Sequence, residues 1–342
     1  MRKLLVVALA LVAVPIASLV TPFGTRLRAA AATGYHILSE ISLGGEGGWD
    51  YLTVDSAARR LYVSHGTHVV VVDLDTNKVV GDIPDTPGVH GIAIAQELNK
   101  GFISNGRGNN ITIFDMKTLK ATGTVAAEMN PDDICYDRGS QRVFAFNGRS
   151  KSATVVDAKT GKGVATIPLP GKPEFSVADG KGKIYTNIED TNEIVEIDAA
   201  KATVTKKYAL TGCEGPSGMA IDTKARRLFS VCGNRVMAVS DPDKGVVVAT
   251  PAIGAGADGV VFDPGTGYAI SSNGDGTMTV VQQTGGKYDV VENIATERGA
   301  RTIALDEKTH RIYTPTATAG QAAAGGRAPY LPNSFKVLVV GK

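Results

Sequence analysis

Cysteine is scarce in this sequence: Cys135, Cys213 and Cys232 are the only three in 342 residues. No two form a C-x-x-C pair and they lie far apart, which argues against a structural zinc site. Tryptophan occurs once and aromatic residues make up 6% of the chain, against 40 glycines. Such a composition favours tight turns and small packed side chains over a large aromatic-lined cavity. Helical periodicity is weak throughout, and after the N-terminus no segment approaches the ~18 apolar residues needed to cross a bilayer. Catalytic signatures are missing too. There is no G-x-S-x-G, so Ser217 has no nucleophile elbow. GAGADG, from Gly254 to Gly259, matches G-x-G-x-x-G but lies between strand-like segments and opens no helix that could hold a pyrophosphate.

What is present begins with MRKLLVVALALVAVPIASLV, two basic residues followed by an apolar run. This is the pattern of a secretion signal, and Ala29 to Ala32 offer a small-residue cleavage site before Thr33; an uncleaved anchor is the alternative. Residues 1–32 are therefore expected to be a signal peptide, and 33–342 a single domain in the periplasm or outside the cell. Without residues 1–32 the chain loses four basic and no acidic residues, and its net charge passes from +2 to −2. Nucleic acid is thereby disfavoured as a partner.

The stretch from Gly48 to Val80 is a unit that recurs. LTV ends in Asp55, a polar turn leads to LYVS, and a His- and Gly-containing turn leads to VVVV and Asp73. DTN and a further strand complete the unit. Alternating β-branched residues bounded by Asp, Asn and Gly are strand and turn signals. The Asp55 position recurs at Ala95, Asp137, Asp179, Asp222, Asp263 and Asp306, in steps of 40, 42, 42, 43, 41 and 43 residues. Four strands at that period describe a propeller blade. The expected fold is all-β: a seven-bladed β-propeller of four-stranded antiparallel blades. YHILSEISL, residues 35–43, matches a fourth strand, and the chain stops after a third strand, FKVLVVGK. The N-terminal strand is thus expected to complete the last blade and close the ring. Residues 314–334, rich in Ala, Gly and Pro, form a loop insertion in the seventh unit. It reads either as a solvated excursion or as a cover over the channel mouth carrying Arg327 and Tyr330.

Tyr62-Val63-Ser64-His65, Phe102-Ile103-Ser104-Asn105 and Ile184-Tyr185-Thr186-Asn187 are each followed one strand later by an apolar residue and Asp. In these motifs residues 35–342 resemble the YncE-like secreted propellers with YVTN-type repeats. The resemblance implies export and a propeller, and it specifies function poorly: such propellers serve as surface proteins, ligand binders, lactonases and quinoprotein dehydrogenase subunits. Trp49-Asp50 spells the WD of WD40-like repeats, but only once. The chain departs from the pattern at Ala95, and the sixth and seventh units lack the Asp after the third strand.

Five residues before each blade Asp stand Asp50, His90, Asp132, Glu174, Ser217, Asp258 and Arg301. Seven such lead positions converge on one axis, and all seven are polar or charged. Either they simply line a wet channel or they form a ligand-binding rim, joined by His65. The carboxylates would favour a small cationic ligand; an unknown protein is the other expected partner. Asp50, His65, His68 and His90 are candidate ligands for a divalent metal, the one cofactor suggested. If the protein is an enzyme, a lactonase-like or metal-dependent hydrolase is expected, with Glu174 or His90 as general base and Arg301 stabilising an oxyanion. A non-enzymatic binding scaffold fits the missing signatures better. A third role, partner subunit in a periplasmic redox assembly, follows from the resemblance alone. A monomer is expected. On the opposite rim the turns into the second strands carry Arg59, Arg60, Lys100, Arg142, Lys183, Arg226, Arg227, Lys308 and Arg311. They read as solubilising charges or as a docking face for an acidic partner. Cys213, ahead of the fifth unit's first strand, and Cys232, just past its second, fall on one rim of one blade. They are the expected disulfide, with Cys135 left as a thiol.

Overall fold

In the first blade, Leu52–Asp55, Arg60–His65, His68–Asp73 and Lys78–Ile83 follow one another, each antiparallel to the last. Leu61, Tyr62, Val63, Val69, Val71 and Val72 are fully buried, because the two middle strands are covered on both faces by neighbouring blades. A continuous apolar run there replaces strict alternation. The outer strand instead exposes Val79 and Val80. Asp at the strand ends makes the turns: Asp55 Oδ1 accepts the N–H groups of Ala57 and Ala58, and Asp73 Oδ1 those of Asp75 and Thr76. Arg59 and Asn77 then close these turns in the left-handed region, at φ 55° each. An Asp side chain that mimics a backbone turn explains why the residue recurs at this place. In the second unit, where Ala95 replaces it, a 3₁₀ turn Gln96–Leu98 takes over, and Gln96 Nε2 reaches back to Asp55 Oδ1 at 2.8 Å.

A computed structural model of the chain describes residues 33–45, 48–321 and 329–342. It contains seven four-stranded sheets arranged as the blades of a β-propeller. In the seventh the order runs His36–Ser42, Lys336–Gly341, Arg311–Thr316, Ala304–Asp306, so the N-terminal strand is the outermost one and pairs antiparallel with the last strand of the chain. The core is divided into seven clusters, one at each junction between adjacent blades. At the closing junction Ile41, Trp49, Leu61, Val63, Tyr313, Phe335 and Val337 pack together, bringing both chain ends against the first blade. No blade has a core of its own, which is why the ring must close to be stable.

The expected signal peptide and Arg327 lie outside the described residues. Thr314 to Thr316, counted in the insertion from the sequence, complete the strand Arg311–Thr316, and Ala319 forms an isolated bridge with Tyr330. Cys213 and Cys232 are joined and Cys135 is free. No helix among the described residues is long and apolar enough to cross a membrane.

Five of the basic residues on the opposite rim are engaged by neighbouring blades. Arg60 donates to Met116 O at 2.5 Å, Lys100 to Lys159 O at 2.6 Å and Arg142 to Ala200 O at 2.7 Å, each in the next blade. Arg59 pairs with Asp306 at 2.6 Å and Arg226 with Asp179 at 2.9 Å, each in the preceding blade. These side chains tie blade to blade.

Candidate functional site

The second-strand hydroxyls explain how the lead segments are held. Ser64 Oγ accepts the Asp50 N–H at 2.8 Å, and Ser104 Oγ accepts the Gly91 N–H at 2.9 Å while donating to Asp132 O. Ser272 Oγ donates to Ala300 O at 2.8 Å, and Thr302 Oγ1 to Asp50 O at 2.6 Å. Ser64, Ser104 and Ser272 thus pin the backbone beside the lead residues of the first, second, third and seventh units, and the charged side chains there project from a fixed frame.

Those side chains form an alternating chain of charge. Arg301 Nε meets Asp258 at 2.6 Å and its Nη2 lies 3.6 Å from Asp50. His90 Nδ1 is 2.6 Å from Asp50 Oδ2 and 3.4 Å from Asp132 Oδ1. Glu174 pairs with Lys172, which also holds Glu189. Ser217 is turned to a backbone partner, donating to Ala257 O at 3.3 Å. The rim is therefore less negative than the lead positions alone suggest, because Lys172 joins Arg301 and His90. Lys172 was legible in principle: two residues before the lead position the other units have Gly48, Gly88, Asn130, Gly215, Gly256 and Gly299.

Burial shapes the charges. It raises the Asp132 carboxyl, against the pull of His90, and raises Asp258 against the pull of Arg301. It raises Glu174 as well, although Lys172 opposes the shift. Burial alone would lower His90, but the hydrogen bond to Asp50 and the charges of Asp132 and Glu174 outweigh it and favour the imidazolium. For Lys172, too, burial opposes the charge, and hydrogen bonds to Glu174 and Glu189 prevail. All of this follows from taking carboxylates out of water in each other's company.

One residue past the lead position, Tyr51 and Phe175 meet edge to face with ring centroids 5.1 Å apart. They come from the first and fourth blades, so their contact crosses the axis and closes the channel at that level. The corresponding residues elsewhere include Gly91, Gly218 and Gly259. A Cβ at Gly218 would fall 2.6 Å from Asp258 O, so small residues let the innermost strands approach while two rings fill the centre. Burial raises the Tyr51 phenol, and Asp50, Asp132, Asp258 and Glu174 all add to the shift. A phenol that feels carboxylates from four blades lies near their centre.

The structure does not bring His65 and His68 into this group. His65 is 2% exposed and stacks on Phe335 with centroids 4.4 Å apart, in the closing junction. Burial, with His68 adding to it, lowers the imidazole to about 4. His68, paired with His65 across the hairpin, points its Nε2 toward Asp82 at 3.7 Å. It borders a cleft of about 610 Å³ that is also lined by Thr67, Asp82, Pro84, Asp85 and Pro87, and by none of the lead residues. The hairpin between second and third strands sits farther from the axis than the first strand, so sharing a rim does not make its residues neighbours of Asp50. Asp132 takes their place: suitable atoms of Asp50, His90 and Asp132 all lie within 4.8 Å of one another. From the insertion, Tyr330 packs on Trp49 at 4.5 Å between centroids and contributes to the electrostatic surroundings of Arg301.

The fold and rim define a seven-bladed β-propeller with a charged, floored channel mouth. No family model matches the chain, and no curated protein matches it. Among solved structures it is similar to a chain of Kuenenia stuttgartiensis hydrazine synthase, with a TM-score of 0.69 at 13% identity, covering 85% of this chain and 95% of that one. At that identity the likeness concerns the fold.

Proposed function

We propose that this protein is an exported, YncE-like binding propeller that takes a small cationic ligand at the channel mouth. The observation that carries the reading is the convergence of Asp50, Asp132, Glu174 and Asp258, from four blades, on the Tyr51 phenol above a closed floor. A concave site with converging carboxylates and an aromatic base suits an ammonium group or a metal ion better than a phosphate. The YVTN-type motifs and the apolar N-terminus support placement outside the cytoplasm.

The test is a double substitution, Asp50→Ala with His90→Ala. Thermal shifts given to the full mature chain by putrescine and by divalent cations should vanish, while the melting temperature without added cation moves little. Shifts that survive both substitutions would move the site away from the mouth. The lower-rim arginines make a poor comparison, since removing Arg59 or Arg226 also cuts a link between blades.

A lactonase-like hydrolase is the second reading. It is favoured by Glu174, whose carboxyl burial raises as a general acid or base requires. Turnover in a lactone and ester screen, lost in Glu174→Gln, would support it. For a partner subunit in a periplasmic redox assembly the resemblance is the whole support, and co-purification with a dehydrogenase or cytochrome would favour it.

A further inference from the structure

We infer that the cation held at the mouth is a divalent metal ion, with Asp50, His90 and Asp132 as its protein ligands; this rests on the reading above and names the class of ligand. The three residues belong to consecutive blade starts, and each offers one donor atom within the same 4.8 Å. One imidazole nitrogen and two carboxylate oxygens suit Mn²⁺, Fe²⁺ or Zn²⁺; the ion replaces the proton that His90 Nδ1 shares with Asp50, which leaves to solvent, and three protein ligands leave coordination positions open. All three residues are half-buried, so an ion can reach them from solvent.

The surroundings are built to hold these donors in place. Asp50 is fixed from behind by Ser64 and Asp132 by Ser104, while Arg301 faces the other Asp50 oxygen at 3.6 Å. The His90 ring needs the glycine beside it, because a Cβ at Gly106 would come within 2.6 Å of Nε2. That packing directs Nδ1, the other nitrogen, toward the two carboxylates. Support of this kind orients metal ligands in known sites.

The Tyr51 side chain faces the same space. Tyr51 is 7% exposed, its phenol lies among the four carboxylates, and among the described residues no hydrogen bond of its hydroxyl is seen. The Tyr51 hydroxyl is not among the buried unpartnered atoms, so it opens to the channel, where water, including water on a bound ion, can be its partner. Among the described residues no other group of three His, Cys, Asp or Glu side chains comes together in this way. His68 and Asp82, at 3.7 Å, form a pair without a third donor.

The experiment is calorimetric titration of the full mature chain, stripped with chelator, with Mn²⁺ and Zn²⁺. Asp132→Asn and His90→Gln are compared with His68→Gln, and near-ultraviolet circular dichroism confirms that each is folded. One ion per chain is expected, lost in Asp132→Asn and His90→Gln and kept in His68→Gln. Where a variant does not fold, Mn²⁺ water-proton relaxation on the original protein, quenched by Zn²⁺ at one equivalent, reads the same single site. Binding that survives Asp132→Asn and His90→Gln, or is lost in His68→Gln, overturns the inference. If neither metal binds but putrescine still stabilises the chain and Asp50→Ala with His90→Ala removes that effect, the metal fails and the cation-binding reading stands. If nothing binds at the mouth, both fail.

Discussion

A chain lacking residues 34–43 is expected to aggregate rather than melt cooperatively. The deletion removes the strand His36–Ser42, which pairs with Lys336–Gly341 from His36↔Gly341 to Ser42↔Lys336. It also removes Tyr35 and Ile41, 4% and 3% exposed, from the cores at the two junctions of the seventh blade. Burying each such side chain contributes about 1.5–3 kcal/mol, against a total stability of roughly 5–15 kcal/mol. What remains is worse than a missing strand. Val337, Leu338, Val339 and Val340, at most 1% exposed in the closed ring, would lie along an open sheet edge, the kind of surface that pairs with other chains. Light scattering and calorimetry on the truncated protein check this. A single cooperative transition at the temperature of the full chain would mean that the ring does not depend on the N-terminal strand.

Acid should attack the same junction through His65. Its ring is stacked on Phe335, its Nε2 has no hydrogen-bond partner among the described residues, and burial lowers it from 6.5 to about 4. Below pH 6.5 the unfolded chain binds a proton at this residue that the folded chain refuses until about pH 4. Stability from this group is therefore complete above pH 6.5 and is lost as the pH falls through that window, by about 3 kcal/mol at most. His65→Leu keeps the apolar contact and removes the proton site. Between pH 7 and pH 4 it should lose about 3 kcal/mol less stability to urea than the original protein. Subtracting one profile from the other cancels the mouth carboxylates, whose raised positions act in the opposite direction. Parallel pH profiles would show that His65 is not held neutral.

The period and the matching ends were enough to read the propeller and its closure, because blade geometry repeats the same strand and turn chemistry seven times. Ala95 broke the pattern without breaking the blade, since Gln96–Leu98 turns the chain and Gln96 returns a hydrogen bond to Asp55. Alignment of the lead positions found Asp50, His90, Asp132 and Arg301, which the structure joins in one network. His65 and His68 were misplaced because equivalence along the sequence gives height on the axis but not distance from it. The burial of His65 is set by Phe335, whose position beside the first blade depends on closure. Tyr51 and Phe175 are hard to read from sequence for a related reason: as single apolar residues they look like core, and only the glycines at the matching positions mark them as channel fillers. Lys172 carried a visible mark, a charge where every other unit has Gly or Asn, but it lies outside the aligned column.

The most direct measurement is anomalous diffraction from crystals of the mature protein soaked in Mn²⁺. A single strong peak among Asp50, His90 and Asp132, beside Tyr51, is the expected result. Peaks confined to the His68 and Asp82 cleft, or to surface carboxylates such as Asp75, with the mouth empty at saturating Mn²⁺, would contradict it.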